Sequence, residues 1–201
     1  RGGWPKSIGL SEKISIEVVK NYYDGLINND IKSVDNVSRD VDKVKAFMRS
    51  YARNVSTECS VETIVSDIKG FDNKNISDET IKSYIKAFER LYVIEDLNAW
   101  SPNLRSKTTI RTSPTRHFID PSIACRALGA YKEDLINDLK TFGLIFEDMA
   151  VRDLKIYADK LGGEVYHYKD KSGLEADAII HLENGKWAAF EVKLCDSDRI
   201  E

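Results

Sequence analysis

Apolar residues recur at helical spacing early in the chain: Ile14, Val18 and Tyr22, then Val41, Val44, Met48 and Ala52. The pattern predicts packing helices over residues 1–58 with no chemistry of their own. In VETIVSDIKGFDNKNISDETIKSYIKAFERLYVIEDLNAW a short helix should end at Gly70. Ser77 then caps a second helix, acidic in its first turn, with Ile81, Tyr84, Ile85, Phe88 and Leu91 on one face. LYVIEDLNAW and HFID read as strands on either side of the turn-rich SPNLRSKTTIRTSPTR. Two helices followed by a hairpin outline a winged helix-turn-helix over 59–130.

From Lys132 the pattern becomes one long helix, expected over 133–161, and then three strand-like runs, GGEVYHYKD, LEADAIIHLE and KWAAFEVKL. Lys171–Gly173 and Asn184–Gly185 are the turn signals between them. The last run is apolar over most of its length, which predicts a strand inside the sheet. The fold class is therefore α/β in the broad sense (α+β): a helical N-terminal part, then a domain over 131–201 with a mixed sheet.

Four charged residues interrupt these apolar patterns: Glu147 on the long helix, Asp177 on the second strand, and Glu191 and Lys193 on the third. Hydrolysis of a phosphodiester needs carboxylates that hold a hard divalent cation, Mg²⁺ or Mn²⁺, which activates water and neutralises developing charge. Residues i and i+2 of a strand face the same way, so Glu191 and Lys193 deliver a ligand and a cation side by side. With Asp177 this is the PD-(D/E)xK nuclease layout. It assigns Asp177, Glu191 and Lys193 as catalytic, and Asp177, Glu191 and Glu147 as metal ligands. The competing explanation is a solvated same-face pair on an exposed strand.

Two local features bear on that choice. Asp148 has Arg152 one turn on and can be satisfied as a surface pair, whereas Glu147 has Leu144, Gly143, Ala150, Val151 and Leu154 around it and must find a partner elsewhere. A two-residue turn at Asn184-Gly185 would set Asp177 opposite Val192, on the wrong face. A three-residue loop with Gly185 at a G1 bulge would set it opposite Glu191. The nuclease layout requires the second register. Glu175 shares the Asp177 face and is a possible accessory ligand, with an exposed acid the simpler alternative.

Composition narrows the setting. The chain has 201 residues and a net charge of −3, so nucleic-acid contact must rest on local distribution. Between Leu97 and Ile119 there is no acid, but Arg105, Lys107, Arg111 and Arg116 occur there, and Lys82, Lys86 and Arg90 form a stripe on the second helix of the winged segment. These are the surfaces with which a winged helix meets double-stranded DNA. A solvated helix face, or a protein-docking winged helix, accounts for the same residues. Cys59, Cys125 and Cys195 lack metal-ligand spacing and read as reduced thiols, and His117, His167 and His181 as packing or surface residues. No run approaches the length of a membrane helix, so a cytoplasmic protein is expected.

RGGWP, YIKAFERLYVIEDLNAWSPN, RHFIDPSIA and GLIFEDMAV … SGLEADAII … AFEVKL, in that order, resemble the C-terminal region of a large prokaryotic family of AAA-type ATP-binding proteins. The resemblance spans essentially the whole chain, although the first 60 residues match only at RGGWP. It implies a P-loop ATPase preceding a winged-helix-like segment and a restriction-endonuclease-like domain, with Glu147, Asp177, Glu191 and Lys193 on the nuclease positions. No GxxxxGK[ST] motif is present, so ATP is implied for the parent protein alone. The expectation is a C-terminal fragment, with the nuclease-like domain cut short at its end. The alternative is a non-catalytic module that senses DNA or a protein partner and reports to the ATPase.

Overall fold

In the computed structural model, residues 2–35, 37–72, 74–103, 105 and 112–194 are described. The helical part is built on α1 (Glu12–Gly25), α2 (Val41–Arg53), α3 (Val61–Asp72) and α4 (Asp78–Arg90). Asp40 starts α2 by accepting from the Asp42 and Lys43 amides at 2.8 and 3.0 Å, and Ser77 caps α4 through the Thr80 amide. Phe47, Met48 and Tyr51 of α2 are fully buried. Phe47 stacks on Phe88, and Tyr51 meets Phe118 edge-on at 5.1 Å, so α2 is the pillar against which the other elements pack.

The buried face of α1 is one residue out of phase with the expected one. Ser15, Val19 and Tyr23 are buried, whereas Ile14 is 52 % exposed. The chain leaves α1 through a π turn, Leu26–Asp30, and Leu26, Ile27 and Ile31 enter the core there. Three large side chains just beyond α1 thus set its rotation more strongly than the apolar count along α1 itself. Helix α3 continues past Gly70 to Asp72.

After α4 the segments around 93–99 and 113–119 form an irregular antiparallel ribbon, Ile94 opposite Phe118 and Leu97 opposite Thr115. Asp120 and Pro121 start α5 (Pro121–Leu128), and Gly129, with φ +69°, ends it in the left-handed conformation. The long helix expected over 133–161 is two helices, α6 (Lys132–Asn137) and α7 (Leu139–Lys160). Asp138 separates them with an extended ψ of 79°, and its side chain caps α7 through the Thr141 amide at 3.1 Å.

Three strands follow, β1 (Gly163–Lys169), β2 (Glu175–Leu182) and β3 (Trp187–Phe190), in the order β1-β2-β3 and all antiparallel. The sheet is thus not mixed within these strands. Parallel pairing enters where the ribbon joins β1: His167 donates to Asn98 O at 3.0 Å and Trp100 donates to His167 O at 2.7 Å. Among the described residues β3 lies at the sheet edge, not inside it as its apolar run suggested. Helix α7 covers one face, with Val151 and Leu154 packed on Val165, Ala178 and Phe190.

Candidate functional site

The β2–β3 connection closes with Leu182 and Lys186 paired, the Leu182 amide donating to Lys186 O at 2.8 Å and the Gly185 amide to Leu182 O at 2.9 Å. Three residues therefore form the loop, and Gly185 takes φ +80°, which only glycine adopts without strain. His181 pairs with Trp187 and Ala178 with Phe190. Continued one step, that register sets Asp177 level with Glu191, the shifted alternative of the two. On its other side β2 is bulged: Tyr166 pairs with Ile179 and Tyr168 with Ala176, so Asp177 and Ala178 together stand opposite His167. Such a bulge bends the strand and re-aims a side chain. Asp177 Oδ2 accepts the Val192 amide at 2.7 Å, which pins the chain just past the end of β3.

Glu147, on α7, is half-buried. Burial, reinforced by Asp177, then Glu191 and Asp148, and opposed by Lys193, pushes its carboxyl from 4.5 up to about 8. Burial also raises Asp177, with the Val192 amide opposing and Glu191 adding. The Lys193 ammonium forms an ion pair with Glu191, which holds its charge more firmly, and both side chains are about half-exposed or more. Glu147, Asp177, Glu191 and Lys193 thus lie within mutual electrostatic reach. Glu175 is turned to solvent and pairs with Lys169 at 3.1 Å.

The donor chemistry of this cluster, three carboxylates, fits a hard divalent cation. Its spacing is looser. One oxygen of Asp177 is taken by a backbone amide and Glu191 by Lys193, and among the described residues no three His, Cys, Asp or Glu side chains stand together as a metal-holding group.

Asp148 overturns its expected surface role. It is 0 % exposed, accepting the Phe118 amide and facing His117 Nδ1, both at 3.0 Å, while its second oxygen has no partner among the described residues. Arg152 instead reaches Asp120 at 3.2 Å and Asp153 at 2.8 Å. His117 is buried beside Asp148, and its Nε2 lies 3.0 Å from the Thr115 hydroxyl. This buried pair locks α7 to the ribbon one residue beyond Glu147. The signal was present in the sequence, since Asp148 has Ile145 and Val151 three residues away on either side, the same kind of apolar flank that singled out Glu147.

Asp120 is a second anchor the sequence reading passed over. It accepts the Gly3 amide at 2.8 Å and the Ser122 amide at 2.9 Å, and Trp4 Nε1 donates to the Ser122 hydroxyl. A Cβ on Gly2 would lie 2.5 Å from Asp120 Oδ1, so the GGW and DPS segments require glycine to meet.

The basic residues divide. Lys82, Lys86 and Arg90 are exposed on α4, but Glu62 and Glu79 are within reach of Lys82, Glu89 of Lys86, and Asp35 of Arg90. Arg105 is exposed, and Lys107 and Arg111 lie outside the described residues, as does Cys195. Arg116 is not a surface cation. It is 4 % exposed, ion-paired with Asp96 and donating to Cys59 O at 2.9 Å, and Asp96 also accepts from the Tyr51 hydroxyl.

Comparison with known families now adds to this geometry. Residues 1–134 match the model of a domain of unknown function, DUF8612. The chain belongs to that family. Residues 142–201, which hold most of α7, the sheet and all four clustered charges, match a second domain of unknown function, DUF4143, often found after AAA ATPase modules. No curated protein and no solved structure matches the chain. Among the described residues no helix is long and apolar enough to cross a membrane.

Proposed function

We propose that residues 131–201 form a PD-(D/E)xK-type, restriction-endonuclease-like domain that hydrolyses phosphodiesters with Mg²⁺ or Mn²⁺. In this reading 59–130 is a winged-helix-like domain, 1–58 a helical packing segment, and the whole works in the cytoplasm behind an AAA-type ATPase that supplies ATP chemistry. The observation that carries the reading is the three-residue β2–β3 loop, which sets Asp177 level with Glu191 as the layout demands. Asp177 and Glu191 would hold the cation, and Glu147 would complete the set directly or through water. The cation would supply Lewis acidity and an activated water. Lys193 would hold phosphate charge and orient the water, and exchanging Glu191 for a phosphate oxygen keeps its charge paired. Exposed Arg105 and the α4 stripe, with Lys107 and Arg111, would meet double-stranded DNA.

One observation favours a second reading. The Glu191–Lys193 pair satisfies both charges without metal or substrate. In a non-catalytic module that senses DNA or a protein and reports to the ATPase, this pair would be the resting arrangement.

The test is Mn²⁺ calorimetry together with Mg²⁺-dependent cleavage of supercoiled and linear plasmid, comparing the parent protein with its Asp177→Ala and Lys193→Ala variants. Nuclease function predicts Mn²⁺ binding lost in Asp177→Ala, and binding kept but cleavage lost in Lys193→Ala. No metal binding by the parent protein would remove the catalytic reading.

A further inference from the structure

Trp100 leaves the ribbon where it joins β1, and its ring touches Tyr168 at 6.1 Å, His181 at 6.0 Å and Trp187 at 4.9 Å between centroids. Three of these rings are partly covered, but Trp187 is 54 % exposed, on the edge strand, and Ala188 and Ala189 after it are exposed too. A tryptophan held against a second tryptophan and more than half exposed presents a π surface to solvent rather than a core contact.

What lies further along the strand identifies an occupant. From Ala189 to Lys193 burial alternates: Ala189, Glu191 and Lys193 are exposed, and Phe190 and Val192 are partly buried, while Ala188 before this stretch and Leu194 after it are exposed as well. The exposed row therefore reads ring, methyl, carboxylate, ammonium at every second position. Lys186 precedes Trp187 and is also exposed, so cations bracket the row. Acids are near as well: Glu164, which accepts from the Tyr166 hydroxyl, pairs across from His181, and Glu183 is exposed in the loop before Lys186. From Trp187 to Glu191 is about 13 Å at ~3.3 Å per residue, a span of a few nucleotides of an unpaired strand. Methyl groups leave the track between them open.

We infer that Trp187, backed by Trp100, is a stacking platform for an unpaired base of single-stranded nucleic acid, whose backbone then runs along β3 toward Glu191 and Lys193. This deepens the nuclease reading and rests on it for direction, because it places a single-stranded end or a frayed segment, not an intact duplex, at the carboxylates. Stacking suits the surface because every base has a π face, so binding tolerates sequence, and exposed Lys186 is the cation beside the ring that a phosphate would meet first.

The test is fluorescence anisotropy of labelled dT12 and U12 with this chain in EDTA, beside a duplex of equal length. Trp187→Ala should weaken binding to the single strands about 10-fold or more, the loss expected for one base–aromatic stack. Trp187→Phe should stay within about threefold, and neither variant should change duplex affinity. Thermal unfolding of both variants checks that the half-exposed ring is not needed for folding. Unchanged single-strand affinity in Trp187→Ala, or no binding of either oligomer by the unaltered chain, overturns the inference. Because EDTA removes metal, the result is independent of the Mn²⁺ titration. Oligomer binding without Mn²⁺ binding would sink the nuclease reading alone, and Mn²⁺ binding without oligomer binding would sink the platform alone.

Discussion

Replacing Glu147 by Gln removes a carboxyl whose ionisation the fold resists. In the unfolded chain it titrates near 4.5, and in the folded chain at about 8, because burial and the Asp177 and Glu191 carboxylates oppose its charge. Below 4.5 it is protonated in both states and contributes no difference. Between 4.5 and about 8 the unfolded chain ionises while the folded chain stays protonated, so stability falls as pH rises. Above about 8 the full cost is present. At 1.36 kcal/mol per pH unit the ceiling is about 5 kcal/mol; residual solvent access and nearby Lys193 reduce the working figure to about 2–3 kcal/mol. Urea unfolding of Glu147→Gln should therefore match the unaltered chain within about 0.5 kcal/mol at pH 4.5, and be about 2 kcal/mol more stable at pH 8.5. An equal difference at both pH values, or a variant less stable at pH 8.5, would refute the argument that the carboxylates crowd this site.

Other residues give sharper single measurements. Arg116→Met leaves the largely covered Asp96 without its cation and should lose about 3–5 kcal/mol in urea unfolding, the cost of breaking rather than replacing a desolvated pair. Asp148→Ala strands the Phe118 amide and His117 and should cost about 2–4 kcal/mol, whereas Asp148→Asn keeps an acceptor and should lose under half as much, read by the same assay. Gly185→Ala places a side chain at φ +80° and should cost about 1 kcal/mol. If Gly185→Ala also blocks Mn²⁺ binding, the loop sets the Asp177–Glu191 register as well as closing the hairpin.

Much of the order of elements was legible in the residues. Ser77 announced α4, and the three C-terminal strand runs fell where the pattern put them, the last stopping at Phe190, because caps and turns are local chemistry; the strand runs around 93–99 and 113–119 became an irregular ribbon, and α5 was not read at all. The hairpin register was reducible to two options from Asn184-Gly185, and tertiary pairing selected one. What escaped was set at a distance. Asp138 breaks a helix that the apolar period alone would continue, and the phase of α1 follows from Leu26, Ile27 and Ile31 beyond its end. Asp148 and Arg116 read as surface charges since their partners, His117 and Asp96, are 31 and 20 residues away in sequence. Of the candidate site, the residue types were readable. The Glu191–Lys193 pairing was anticipated only as an alternative fate.

The backbone bonds between Trp100, Asn98 and His167 run across the place where one family match ends and the other begins. A strand joint of this kind has no hinge. A nick in the turn between α5 and α6 should leave the two fragments bound to each other, and separately expressed pieces divided there should reassemble on mixing. Any pull applied to the helical half would then arrive at the sheet as a rigid displacement, with no slack for the connecting loop to absorb.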